Sequence, residues 1–168
     1  PVLAEVPQIK ESKEDETVQL VDQTESFGKD ALHFLRSALL VKEERVFVFT
    51  SANPAEGKTF IVHNLGVYLA RKGARVLVVG TDFRDLRLKN RLKLEVGEES
   101  VENYLADKVS LKDLIHPSAE PRLFYLGSEK MMKNALEVLT STKFQNLARE
   151  VSSQFDFVLF DSPPIKLF

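Results

Sequence analysis

Gly57, Lys58 and Thr59 stand in succession just before a stretch of helical periodicity, and these three residue types together can bind a phosphate chain. A helix that begins here directs its first N–H groups and the positive end of its dipole toward an anion. Glycine lets the backbone approach the phosphate oxygens, lysine provides a cation for the β- and γ-phosphates, and the threonine hydroxyl can bind Mg²⁺. We therefore predict a site for a nucleoside triphosphate with Mg²⁺. The predicted nucleotide-binding residues are Asn53, Pro54, Ala55, Glu56, Gly57, Lys58, Thr59 and Phe60.

The residues on either side of this loop decide between a phosphate site and a chance Gly-Lys-Thr at a helix start. Val46 to Phe49 is wholly apolar, which is typical of a central strand that is buried on both faces of a parallel sheet. Residues 59–71 then place Ile61, Leu65 and Leu69 on one side of a predicted helix. A buried strand that leads through a loop into a helix favours the phosphate-binding interpretation.

Two aspartates follow other predicted strands at the point where each strand ends. Asp82 comes shortly after the predicted strand 75–79, and Asp161 directly follows the predicted strand 157–160. Because ligands of open parallel sheets lie beyond the carboxyl ends of the strands, both side chains should face the same crevice as the loop. One strand-terminal aspartate alone is an ordinary turn residue, but two beside a phosphate loop favour metal binding. We therefore predict that Thr59, Asp82 and Asp161 bind Mg²⁺.

The rest of the chain alternates helical and strand patterns. Helices are predicted over 25–41, 100–106, 110–115 and about 144–151, and a further strand over 123–126. Doubly apolar strands that alternate with helices predict an α/β fold with a mostly parallel sheet and helices on both faces. Residues 1–24 are rich in charge and bear prolines, so we predict a linker or arm there and a domain over 25–168.

Composition excludes several classes of function. The chain has 168 residues, a net charge of −2 and no cysteine, which argues against a nucleic-acid footprint, disulfides and thiolate chemistry. No apolar run reaches the roughly 20 residues that a bilayer-spanning helix requires, so we expect this segment itself to be soluble. His33, His63 and His116 lack the spacing of metal ligands, and we do not expect them to bind a metal.

Four segments resemble, in order and spacing, the signatures of the bacterial tyrosine kinases (BY-kinases), a family in the MinD/ParA branch of P-loop ATPases. The segments are residues 50–59 for Walker A, 76–84 for Walker A′, 134–141 for a stretch that the family writes Asn-Pro-x-Glu-Leu-Leu-x-Ser, and 155–164 for Walker B. The resemblance implies a three-layer P-loop NTPase fold. With the predicted strands numbered along the chain, it implies the order three-two-four-one.

The resemblance also implies an activity. It describes an ATP-dependent protein-tyrosine autokinase that regulates capsular or exopolysaccharide biosynthesis, with ATP and Mg²⁺ bound at the predicted site. Lys58 and Asp82 would be catalytic: Lys58 would stabilise charge on the transferring phosphoryl group, and Asp82 would orient or deprotonate the tyrosine hydroxyl. Such kinases lie on the cytoplasmic side of the bacterial inner membrane, beside a membrane-embedded chain-length determinant segment in the same or a partner chain. They form homo-oligomers through a helix whose motif here consists of Asp30, His33 and Arg36.

The chain departs from the family pattern at several positions. Gly80 stands where the first Walker A′ aspartate belongs, Ala55 replaces a frequent glycine, and His33 replaces an arginine of the interface motif. These 168 residues contain no tyrosine-rich tail of the kind that the family has, since their tyrosines are Tyr68, Tyr104 and Tyr125. Two alternatives therefore stay open: a degenerate, non-catalytic scaffold of the same assembly, and a MinD/ParA-type switch ATPase, which residues 130–141 and the motif helix disfavour.

The family has further strands after its Walker B strand, and this chain ends at Phe168. We therefore expect a fragment or truncated product whose C-terminal strands are missing. The implied strand order would leave residues 46–49 as an apolar sheet edge, and such edges recruit other chains. Self-association and weak ATP affinity are the expected results for this segment.

Overall fold

The sheet is built from β1 (Val46–Phe49), β2 (Val76–Gly80), β3 (His116–Pro117), β4 (Leu123–Leu126) and β5 (Phe157–Asp161). These strands belong to a computed structural model that describes residues 27–41, 43–83, 100–128 and 132–167. Their order is β1-β5-β2-β4-β3, with parallel pairing throughout except between β3 and β4. This confirms the mostly parallel sheet and the order implied for the four predicted strands. Strand β3 is absent from the prediction, because two residues that include a proline carry no strand pattern.

The helices of the described residues are α1 (Phe27–Leu40), α2 (Lys58–Arg71), α3 (Val101–Leu105), α4 (Leu111–Leu114), α5 (Ala135–Thr140) and α6 (Thr142–Ser152). A 3₁₀ turn follows at Ile165–Leu167. Helix α6 starts two residues before its predicted apolar face, because the Ser141 hydroxyl caps it by accepting a hydrogen bond from the Phe144 N–H (3.2 Å). Helix α5 is not among the predicted helices.

Two apolar clusters, one on each face of the sheet, give the predicted three layers. Along β2, Val76 and Val78 belong to the cluster that α1 and α2 cover, while Leu77 and Val79 belong to the cluster under α3 to α6. All four side chains are fully buried, which explains why the strand is apolar at every position. The helices on both faces were expected from this pattern.

Strand β1 departs from the central position that its composition predicts. In the described part of the chain it pairs with β5 alone, and Val46 and Val48 are 39% and 66% exposed. Phe47 and Phe49, on the alternate face, pack partly buried against the α1–α2 cluster. The prediction of a strand buried on both faces is therefore wrong here, and the edge position that the implied order requires is the one observed.

Some predictions fall outside this description. The arm predicted over 1–24 lies outside the described residues, so the boundary between arm and domain stays a prediction. Among the helices that the structure describes, none combines the length and the apolar character needed to cross a bilayer.

Candidate nucleotide-binding site

The loop between β1 and α2 has the backbone shape of a phosphate cradle. Gly57, the N-cap of α2, is left-handed with φ 87°, and open space surrounds the position that a Cβ would take, so backbone conformation is what requires glycine. The first helical hydrogen bond runs from the Ile61 N–H to the Gly57 carbonyl (3.0 Å). The N–H groups of Lys58 and Thr59 precede it, at the end of the helix where an anion is favoured.

The side chain of Glu56 closes this loop on itself. Its carboxylate accepts hydrogen bonds from the Ala52 N–H (3.0 Å) and from Asn53 Nδ2 (2.6 Å). Hydrogen bonds from the Asn53 side chain and backbone hold the pKa of the Glu56 carboxyl below its ordinary value, and the nearby charge of Lys166 acts in the same direction. Asn53 Oδ1 in turn accepts a hydrogen bond from Lys166 Nζ (3.1 Å). Asn53 and Glu56, two of the predicted nucleotide-binding residues, thus stabilise the conformation of the loop through hydrogen bonds within it.

The segment after β5 supports the other side of the loop. The Thr50 hydroxyl donates to the Pro163 carbonyl (2.9 Å), and the Ser162 hydroxyl donates to the Phe49 carbonyl (2.9 Å). The Ile165 N–H donates to the Ser51 carbonyl (2.9 Å). Because these bonds join the exit of β5 to the exit of β1, the start of the loop is fixed by residues more than a hundred positions away.

Four predicted site residues meet at the start of α2 as two pairs. Lys58 Nζ lies 3.4 Å from Asp82 Oδ2; Lys58 is buried and Asp82 is partly buried, with side chains 7% and 10% exposed. The Thr59 hydroxyl donates to Asp161 Oδ2 (2.8 Å), and Asp161 is buried as well. Of the three predicted metal ligands, Thr59 and Asp161 are therefore in contact with each other, and Asp82 is in contact with the lysine. No group of three or more His, Cys, Asp or Glu side chains in the described residues forms a ready metal cage.

Thr81 is a positioning residue that the sequence reasoning missed. Its N–H and its hydroxyl both donate to the Asp161 carbonyl, at 2.9 and 3.0 Å, and the side chain is buried. These bonds join the exits of β2 and β5 at the residue that directly precedes Asp82. The available signal was a hydroxyl residue between Gly80 and Asp82 at the end of a buried strand. Gly80 itself pairs in register with Asp161.

The three predicted interface residues lie on α1, away from the loop. Asp30 and His33 are exposed and Arg36 is half-buried. His33 also makes a contact within the chain, since its Nδ1 lies 3.1 Å from the hydroxyl of Tyr68 on α2. Their role between subunits stays a prediction.

Replacing Ala55 by glycine should stabilise the loop slightly. Ala55 has φ 61°, a left-handed conformation that costs an L-residue about 1 kcal/mol or more. Glycine removes this strain, but it also gives the unfolded chain more conformational entropy, which offsets part of the gain. We therefore expect the free energy of unfolding to rise by roughly 0.5 kcal/mol, measured by thermal unfolding. The control is Ala106→Gly at φ −87°, where only the entropy term applies and stability should fall. A loss of stability in both variants would contradict the strain argument.

Comparison with known proteins places this arrangement in a family. The family model described as an AAA domain matches residues 45–167. Tyrosine-protein kinase YwqD of Bacillus subtilis is 35% identical over 126 residues, which cover 74% of this chain and 52% of YwqD. Tyrosine-protein kinase CpsD of Streptococcus agalactiae is 29% identical over 126 residues, which cover 75% of this chain and 55% of CpsD. The chain therefore spans about half the length of these relatives.

Solved structures share the fold. The BceF tyrosine kinase domain superposes with a TM-score of 0.83 at 26% identity, covering 98% of this chain and 72% of that domain. The septum site-determining protein MinD of Pyrococcus horikoshii, solved with Mg-ADP, gives a TM-score of 0.63 at 23% identity and covers 72% of this chain and 49% of MinD. The three-layer P-loop NTPase fold implied by the sequence is confirmed. The chain belongs to the AAA domain family, and it is similar in sequence to tyrosine-protein kinases and in fold to a tyrosine kinase domain.

Proposed function

We propose that this domain transfers the γ-phosphoryl group of ATP to tyrosine hydroxyls. The observation that carries the proposal is the pair of contacts at the start of α2, Lys58 with Asp82 and Thr59 with Asp161. Together with the left-handed Gly57, they provide a phosphate cradle, a cation, a hydroxyl and two carboxylates in one place. The relatives named tyrosine-protein kinases support this choice of reaction.

The residues present fit a nucleotide with Mg²⁺. Mg²⁺ usually takes one or two protein ligands and completes its shell with phosphate oxygens and water, which suits a site without a ready cage. Thr59 and Asp161, already in contact, would hold the ion, with Asp82 as a third ligand directly or through water. When bound, the ion would neutralise charge on the β- and γ-phosphates. The MinD structure of similar fold holds Mg-ADP, which agrees with this assignment.

The Lys58–Asp82 pair suggests how the two catalytic residues divide the work. A phosphate group in the loop would compete with Asp82 for the Lys58 ammonium, and Lys58 would then stabilise the transferring phosphoryl group. Asp82, released from the lysine, would accept the proton of the tyrosine hydroxyl. The tyrosine oxygen gains the bond to phosphorus that the β-phosphate oxygen loses, and ADP leaves.

Asp82→Asn separates binding from transfer. The amide keeps the size of the side chain but cannot accept the tyrosine proton, so Mg-ATP affinity should stay within about threefold while transfer falls by about 10²-fold or more. Calorimetry measures the affinity, and labelled ATP with a tyrosine-containing peptide measures the transfer. Glu150→Gln, an exposed carboxylate-to-amide change on α6, is the control. Unchanged transfer in Asp82→Asn, or no Mg-ATP binding by the unsubstituted chain, would overturn the proposal.

A scaffold without catalysis is the second candidate, and Gly80 is the observation that favours it. Gly80 pairs with Asp161 in register and has no side chain to bind a metal or a proton there. Nucleotide binding without transfer in the same assay would select this alternative.

The cellular setting follows from the family resemblance and is likewise proposed. The domain would act in capsular or exopolysaccharide synthesis on the cytoplasmic side of the bacterial inner membrane, beside a membrane-embedded chain-length determinant segment. It would assemble as a homo-oligomer through Asp30, His33 and Arg36, whose position on one helix of the outer layer leaves them accessible apart from the half-buried arginine.

A further inference from the structure

We propose that Lys166 is a second phosphate-binding cation of the loop, one that none of the sequence signatures assigns. The proposal rests on the proposed nucleotide-binding function and extends it to a residue after β5. Lys166 would bind the phosphate chain of Mg-ATP from the start of the loop, next to Asn53, and so raise the affinity for the nucleotide.

Two backbone contacts hold Lys166 at the loop. The Ile165 N–H donates to the Ser51 carbonyl (2.9 Å), and the Lys166 N–H donates to the Ala52 carbonyl (3.4 Å). The side chain then reaches Asn53, 113 residues away in sequence, with Nζ 3.1 Å from Oδ1. The backbone of Lys166 is therefore fixed at the first residues of the phosphate cradle, and its side chain is exposed.

The ammonium group of Lys166 has capacity for a further ligand. A lysine ammonium carries three N–H donors, and Asn53 accepts one of them. Lys58, by contrast, is buried against the carboxylate of Asp82. Of the two lysines that hydrogen bonds place at the loop in the described residues, Lys166 is thus the exposed one and can meet an incoming anion first.

Charge at the site gives the second argument. Among the residues that the structure describes at the loop, Glu56, Asp82 and Asp161 bring three carboxylates, and Lys58 and Lys166 bring two cations. Within this described set, removing Lys166 would leave three negative charges against one positive charge, which disfavours the approach of an anionic nucleotide. Lys166 compensates part of this charge next to Glu56, the carboxylate within the cradle itself.

Substitutions can distinguish phosphate binding by Lys166 from a purely structural role. A structural role requires only the hydrogen bond to Asn53, whereas binding to phosphate requires the positive charge. Lys166→Gln removes the charge and keeps an N–H donor, Lys166→Arg keeps the charge, and Lys166→Ala removes both. We expect the Ala and Gln variants to bind Mg-ATP about three- to tenfold more weakly in calorimetry, while Arg stays close to the unsubstituted chain. The difference in Mg-ATP affinity between the uncharged variants and the unsubstituted chain should become smaller at high salt, because salt screens the exposed charge of Lys166.

Controls separate this inference from the proposed function. Lys108→Ala removes an exposed lysine remote from the loop in sequence and should leave the affinity unchanged. Thermal unfolding without nucleotide should be the same for Lys166→Gln and the unsubstituted chain. Affinity of Lys166→Gln equal to that of the unsubstituted chain, or equal losses in Lys166→Ala and Lys108→Ala, would overturn the inference. If Lys58→Ala loses binding and Lys166→Ala does not, this inference fails alone; if the unsubstituted chain binds no Mg-ATP, both fail.

Discussion

Replacing Lys58 by alanine should lower the affinity for Mg-ATP by about two orders of magnitude. Its ammonium is the buried cation at the start of α2, and losing a buried charge partner costs about 2–5 kcal/mol of binding free energy. A hundredfold change in affinity corresponds to about 2.7 kcal/mol, which lies within this range. Calorimetry on both proteins measures the effect. Lys58→Met, which keeps the aliphatic stem and removes the charge, should show a similar loss.

The same substitution should also change stability, and this must be measured separately. The partly buried Asp82 would be left without its cation, and removing one partner of a fully buried pair costs about 3–5 kcal/mol, which is the upper limit for this pair. Thermal unfolding should therefore shift downward in Lys58→Ala, whereas the double variant Lys58→Ala with Asp82→Ala should regain part of the loss. A folded Lys58→Ala protein with unchanged affinity for Mg-ATP would refute the assignment of the phosphate loop.

Introducing aspartate at Gly80 should make the site depend more strongly on Mg²⁺. Gly80 and Asp161 are partners in adjacent parallel strands, which lie about 4.8 Å apart, so the new carboxylate would lie beside that of Asp161. Without Mg²⁺ the two negative charges repel, and we expect the unfolding temperature to fall by about 2–4 °C. Millimolar Mg²⁺ should restore it. Phosphoryl transfer should rise about 10- to 100-fold, the scale on which outer-shell partners of a metal site change its affinity or activity.

The control for this gain is Gly80→Asn, which has the same shape without the charge. It should neither respond to Mg²⁺ in unfolding nor increase transfer of phosphate to the peptide. Full transfer activity in the unsubstituted chain would show that Gly80 is no defect. A change to aspartate that leaves transfer undetectable would instead favour the scaffold.

The phosphate loop was predictable because each of its requirements is local. Gly57 must be left-handed, Lys58 must carry a charge, and a buried strand must precede them, all within about fifteen residues of sequence. The aspartates after β2 and β5 were predictable for a related reason, since parallel strands bring their carboxyl ends to one edge. How these side chains pair depends on tertiary geometry, and the contact between Asp82 and Lys58 is not readable from spacing.

What the sequence reasoning missed depends on distant partners. Thr81 is an unremarkable hydroxyl residue until β5 places the Asp161 carbonyl against it. Lys166 lies at the loop because it contacts Asn53, which is 113 residues away in sequence. A pattern of neighbouring residues along the chain cannot predict such a contact. Strand β1 reads as central because apolar residues fill both its faces, yet Val48 is exposed in the described sheet. The apolar composition of a strand indicates that its faces favour burial, but it does not indicate which element covers each face.

The position of β5 has a consequence for how the protein is made. β5 lies between β1 and β2 in the sheet, although it follows both by more than seventy residues in the chain. While a ribosome is still synthesising the residues before β5, β1 has no strand partner among the described residues, and β2 can pair with β4 but lacks its neighbour on the other side. Such long-range closure is slow and leaves aggregation-prone edges open. Chaperones that shield nascent chains should therefore bind this protein until Phe157–Asp161 has emerged, and the phosphate loop should acquire its shape only then.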